Sequence, residues 1–173
     1  MMSVSRDFNA LAEHCGSKLK VFAKIMFYVA LFFRISHFLY KIKLVPFSRL
    51  FWLLNRVLFS IDIDPRAVIK GGLVILHGAG IVIGKSVIIN GNVKIYQGVT
   101  LGGNNGKKRK VGGSFFSQPI IEENVVIGIN AVVLGPVILE KKVNIGANAI
   151  VTKDVPANST VVSNNKILNK NNL

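Results

Sequence analysis

Acidic residues are scarce in this chain. Eight Asp and Glu stand against 22 Lys and Arg in 173 residues, a formal net charge of +14. Partners are therefore expected to be anionic: phosphorylated cofactors, acidic polymers or anionic lipid. Nucleic acid fits the charge, but no reader motif accompanies it, so it is set aside. Cysteine is nearly missing. Cys15 stands alone, so no internal disulfide can form, and a reducing compartment fits. Long apolar runs are also missing. Val21 to Phe33 is interrupted only by Lys24, and thirteen residues are too few to cross a bilayer. Asp7 and Glu13 lie early, with no small-residue cleavage site after an apolar run, so no secretory signal is expected. The expected location is cytoplasmic, with peripheral contact on the inner membrane face left open.

What is present divides near residue 60. Residues 1–60 form a basic segment rich in Phe, Leu and Ile. Between Glu13 and Asp62 there is no acid, yet Lys18, Lys20, Lys24, Arg34, Lys41, Lys43, Arg49 and Arg56 all occur. A helix is predicted over about 17–43, a break near Pro46, and a second helix over about 47–59. Two compatible readings apply: a face buried against neighbouring subunits, or a monotopic contact with anionic lipid.

From residue 61 the pattern changes to a period of six. Val125, Ala131, Val137, Val143, Ala149, Val155 and Val161 form one row. Ile121, Ile127, Val133, Leu139, Ile145 and Val151 form another. Six is neither the 3.6 of a helix nor the 2.0 of a strand. It marks a short strand and a turn, repeated, with Gly or Asn at the turn (Gly84, Asn90, Gly102, Gly128, Gly146). One repeat cannot bury its own face, whereas a stack of repeats builds a continuous core.

Two places break the beat. The stretch from Leu73 to Val87 is two residues too long and contains His77-Gly78-Ala79-Gly80. Fourteen extra residues separate Leu101 from Ile121, which predicts an extruded loop over 102–119. Residues 163–173 are Asn- and Lys-rich and are expected to form a flexible tail.

The strings IDIDP (61–65), HGAGIVIG (77–84), YQGVTLGG (96–103) and KDVPANSTVV (153–162), with a second repeat block from Pro119, resemble the hexapeptide-repeat acyltransferases of the serine acetyltransferase branch. The likeness covers about residues 61–162. It implies a mainly β fold, a left-handed parallel β-helix with a short helical N-terminal segment. It also implies a homotrimer or a dimer of trimers with active sites between subunits. The family's catalytic His falls on His77 and its partner Asp on Asp62, with Asp64 a nearby rival. Gly103, Ile129, Ala147 and Lys153 match contacts to acetyl-CoA, the acetyl donor. The helical segment looks like that of capsule and colanic-acid acetyltransferases.

The chemistry suits those residue types. A base with a pKa near neutrality takes the hydroxyl proton, and a carboxylate on the other ring nitrogen orients it. Glycines such as Gly102 and Gly103 let backbone N–H groups approach the oxyanion. No nucleophilic cysteine is required. His14 and His37 are taken as structural or interfacial. Lys107-Lys108-Arg109-Lys110 is either a contact for phosphates or an acidic polymer, or a solvated basic loop. A β-helical metal enzyme needs several His ligands, and the repeats hold one, so no metal is expected.

The acceptor is the open question. Serine acetyltransferases carry an Asp before the catalytic His and an Arg-His pair before the closing Pro. This chain has Leu76, and Ser117 with Gln118. Those losses favour a saccharide hydroxyl of a surface polysaccharide or its precursor, bound by Gln118, Ser117 and Phe115 or Phe116. The alternatives are serine O-acetylation and a non-enzymatic scaffold or membrane-surface binder.

Overall fold

The computed structural model describes residues 2–163. Four helices come first: α1 (Met2–Cys15), α2 (Lys18–Phe22), α3 (Ile25–Lys41) and α4 (Val45–Phe59). The helical prediction needs three corrections. The polar N-terminus is itself a helix, and the expected 17–43 helix is divided at Ala23–Lys24. Pro46 is not the break. It sits in the first turn of α4, where its missing N–H costs nothing. The chain reverses instead at Ile42–Leu44, with Lys43 in the left-handed region at φ 63°.

α3 and α4 pack as an antiparallel hairpin. Ser36 and Ser48 exchange hydroxyl-to-carbonyl hydrogen bonds at 2.7 and 2.8 Å, and Asn55 Nδ2 donates to Val29 O at 3.1 Å. α1 is tied down by a buried ion pair. Arg34 Nε and Nη2 donate to the Asp7 carboxylate at 2.8 and 3.0 Å, Leu73 N donates to the same carboxylate, and Arg34 Nη1 donates to Ile69 O.

The remainder is a left-handed parallel β-helix of five coils. Strands β1 (Asp62–Ile63), β2 (Val68–Ile69) and β3 (Leu73–Ile75) make the first coil. β4 (Val82–Ile83), β5 (Ile88–Ile89) and β6 (Val93–Ile95) make the second. β7 (Thr100–Gly102) opens the third. A hairpin of β8 (Arg109–Val111) and β9 (Ser114–Phe116) then leaves the stack before β10 (Ile120–Ile121) and β11 (Val125–Ile127) complete that coil. β12 (Val132–Leu134), β13 (Ile138–Leu139) and β14 (Asn144–Ile145) follow. β15 (Ile150–Val151), a bridge from Val155 to Leu139, and β16 (Thr160–Val161) close the stack. The three faces are the sheets β1-β4-β7-β12-β15, β2-β5-β10-β13 and β3-β6-β11-β14-β16.

Both six-residue rows point inward. Ile121, Ile127, Val133, Leu139, Ile145 and Val151 are buried, as are Val125, Ala131, Val137, Val143, Ala149 and Val155. Burying each aliphatic side chain is worth roughly 1.5–3 kcal/mol, which is what stacks the coils. The turn glycines work differently from expectation. Left-handed backbone falls on Asn124, Asn130, Lys142, Asn148 and Asn158, and among the glycines on others such as Gly80 and Gly98, not on the five turn positions expected. Gly128 instead permits close stacking, since a Cβ there would lie 2.8 Å from Ile145 O. The expected tail lies outside the described residues, apart from Ser163.

Candidate active site

Register locates the break in the repeat. Val82 pairs with Thr100, eighteen positions on, but Asp62 pairs with Val82, twenty on. Coil-to-coil bonding holds through Leu76, whose N–H donates to Ile95 O, as Tyr96 N does to Ile127 O one coil later. It resumes at Ala79, whose carbonyl accepts from Gly98 N, as Gln97 O does from Asn130 N. Nothing separates Tyr96 from Gln97. The two extra residues are therefore His77 and Gly78, which bulge from the corner after β3.

Neighbours fix this bulge. Gly80 N donates to Ser60 O at 2.9 Å, binding the loop to the end of α4. A Cβ on Gly78 would meet Met26 Sδ and Ile61 Cδ1, so the bulge packs tightly under the helical layer and a larger residue there would push those side-chain ends aside. The His77 ring is exposed, with its centroid 6.4 Å from that of Tyr96. The next coils stack in register above it. Ile75, Ile95, Ile127 and Ile145 are successive partners, so Gln97, Ile129 and Ala147 form one column over the bulge. Asn148 N donates to Ile129 O at 2.7 Å within that column. Two of the four expected acetyl-CoA contacts, Ile129 and Ala147, thus lie in the column that Ala79 starts, two residues after His77.

Asp62 is half-buried on β1. Its oxygens are engaged from α4: Trp52 Nε1 donates to Oδ1 at 2.7 Å, and Arg56 Nε lies 3.8 Å from Oδ2. The Arg56 guanidinium also stacks over the Trp52 ring at 4.9 Å. The carboxylate makes no hydrogen bond to His77 within the chain, so the expected His–Asp contact is not formed here. Neither Trp52 nor Arg56 was expected as a partner of Asp62. The available signal was the single Trp with an Arg one helical turn later. Asp64 is committed to Arg66, which bonds it at 2.7 and 2.8 Å. Burial pushes the Asp64 carboxyl up, but the Arg66 hydrogen bonds outweigh this and, with the Arg66 and Lys85 charges, hold it below its usual value.

Gly103, Ser117 and Gln118 meet at the base of the extruded hairpin. A Cβ on Gly103 would lie 3.7 Å from Ser117 O and 3.9 Å from Gln118 Nε2. Gln118 Oε1 accepts from Ser86 N at 2.9 Å, a structural bond. Arg109 leaves the expected basic run to bond Asp154 at 2.6 and 2.8 Å, beside Lys153, with Phe116 buried under it. Burial pushes the Asp154 carboxyl up, but the Arg109 hydrogen bond, the Ile138 N–H and the Arg109 charge bring it below its usual value. His37 Nδ1 donates to Pro65 O at 2.7 Å, a structural role, and burial first of all holds its pKa down. Among the described residues no three His, Cys, Asp or Glu side chains gather as metal ligands would.

The family model for bacterial transferase hexapeptide (six repeats) matches residues 118–153. The chain belongs to the hexapeptide-repeat acyltransferases. Serine acetyltransferase of Synechococcus elongatus is 39% identical over 129 residues, covering 75% of this chain and 50% of that protein. The crystal structure of Neisseria gonorrhoeae serine acetyltransferase in complex with serine superposes with a TM-score of 0.82 at 30% identity, covering 94% of this chain and 66% of that one. A serine acetyltransferase structure in complex with CoA gives 0.80 at 29%, covering 91% and 64%. The chain spans about half the length of the curated relatives it matches.

These findings overturn the saccharide reading. The relatives are serine acetyltransferases, not capsule or colanic-acid enzymes. The physical reason lies in the loop. The Gln118 amide oxygen and, of the two rings offered to a sugar, Phe116 are already used to hold the hairpin, while Phe115 stays exposed.

Proposed function

We propose that this chain transfers the acetyl group of acetyl-CoA to the hydroxyl of L-serine. His77, carried on the corner bulge, acts as general base. It takes the serine hydroxyl proton as that oxygen attacks the thioester carbonyl. The tetrahedral adduct collapses, the C–S bond breaks, and the imidazolium returns its proton to the departing CoA sulfur. The products are O-acetylserine and CoA. Asp62, its orientation fixed by Trp52, is the candidate to accept from the second imidazole nitrogen once the site is assembled.

The observation that carries the reading is a two-residue bulge bearing the sole histidine of the repeats, in a chain similar to an enzyme solved with serine. The departures at Leu76, Ser117 and Gln118 require other groups to meet a zwitterion. Arg56, half-exposed beside Asp62, offers a cation for the serine carboxylate. The column of Ile129 and Ala147 gives pantetheine a straight track, with Gly103 and Lys153 as its further contacts. Trimeric assembly, or a pair of trimers, would enclose the exposed His77 between copies.

The test is thiol release from acetyl-CoA with and without L-serine. Serine-dependent release with O-acetylserine as product is expected. Well-folded protein that releases no CoA with serine would overturn the reading.

A further inference from the structure

The α3–α4 hairpin is apolar on both sides. Its inner face supplies Val29 and Phe33 to the core. On its outer face Phe47, Leu50, Leu53, Val57 and Leu58 are exposed, with Phe51 and Leu54 half-buried among them. Positions 47, 50, 51, 54, 57 and 58 follow helical spacing, so they form one stripe along α4. Val57 is 71% exposed and Phe47 58%, more than scattered surface residues would suggest. The stripe runs into the turn, where Phe38, Ile42 and Leu44 are also exposed beside Lys41 and Lys43, with Arg49 close by on α4.

Charge decides what covers this face. No acid lies between Glu13 and Asp62. Among the described residues no carboxylate pairs with Lys41, Lys43 or Arg49. A second copy is poorly equipped to answer them. Of the eight carboxylates, Asp7, Asp62, Asp64, Glu123 and Asp154 already pair with cations, while Glu122 accepts from Asn90 and Glu140 from Ala157 N. Only Glu13 has no such engagement among the described residues. Two such faces brought together would oppose like charges. A lipid surface offers apolar depth and a sheet of negative headgroups. Among the described residues no helix is long and apolar enough to cross a membrane, so these helices would meet it from one side.

We propose that the outer face of the α3–α4 hairpin rests on an anionic lipid surface, with α4 in the interface plane and Lys41, Lys43 and Arg49 at headgroup level. Acetyl transfer would then take place beside the membrane, whichever alcohol is used.

The test is flotation of the full chain with phosphatidylcholine vesicles, with and without phosphatidylglycerol. Binding is expected only to the anionic vesicles and is expected to fall with added salt. The exposed triple variant K41Q/K43Q/R49Q should lose about a hundredfold in vesicle affinity while keeping its circular dichroism. L50S/V57S should weaken binding even at low salt. No binding, or equal binding to neutral vesicles, would overturn the proposal. So would a change in sedimentation-derived stoichiometry in L50S/V57S, which would show the face to be covered by another copy.

Discussion

Trp52 donates its indole N–H to Asp62 at 2.7 Å, so a helix outside the β-helix sets the direction of the carboxylate expected to serve His77. A hydrogen bond to a charged group is worth about 1.5–3 kcal/mol. Trp52→Phe should therefore lower kcat by about tenfold or more with little change in KM for acetyl-CoA. Steady-state kinetics check this, and an unchanged kcat would show that the indole only packs.

The buried Asp7–Arg34 pair should dominate the docking of α1. Removing one partner strands a charge away from water, at a cost of about 3–5 kcal/mol. Arg34→Met should lower stability by that amount in urea unfolding. Asp7→Asn combined with Arg34→Met should recover part of it, because the orphaned charge is gone.

Acid sensitivity should trace partly to the first coil. The Asp64 carboxyl titrates below its usual value, so its contribution is complete above about pH 4 and is lost as pH falls through the lower folded-state value. The Asp64–Arg66 pair is partly exposed, so screening keeps the effect modest. Urea midpoints for Asp64→Asn and the parent chain should converge as the solution is acidified and separate near neutrality.

Arg109 pins the extruded hairpin to Asp154 on an exposed surface. Such a bridge contributes at most about 1 kcal/mol. Arg109→Ala should leave the unfolding midpoint nearly unchanged yet speed proteolytic nicking near Gly112–Gly113, where the hairpin turns. Equal nicking rates would mean that Phe116, buried beneath the guanidinium, holds the hairpin alone.

The stack of coils was legible because each inward position repeats six residues later, and burial falls on those rows. The breaks were legible as arithmetic: two residues too many after Leu73 and fourteen after Leu101 place the bulge and the hairpin. The helical segment was harder. A predominance of apolar residues on α3 and α4 hides which face is inside, and Pro46 reads as a breaker until its position in the first turn is known. The Asp62 partners lie ten and six residues upstream on another element, and no periodicity links them. The acceptor was misread because the absence of charges at Leu76, Ser117 and Gln118 was taken as the absence of any charged partner. Fold contacts such as Asp62–Arg56 bring charge from outside the motif.

The most direct test is His77→Ala, assayed for serine-dependent release of CoA after confirming native circular dichroism. Loss of a positioned general base should cut kcat by about 10²–10⁴-fold. Retention of activity within a factor of about ten of the parent chain would contradict the assignment of the bulge as the catalytic site.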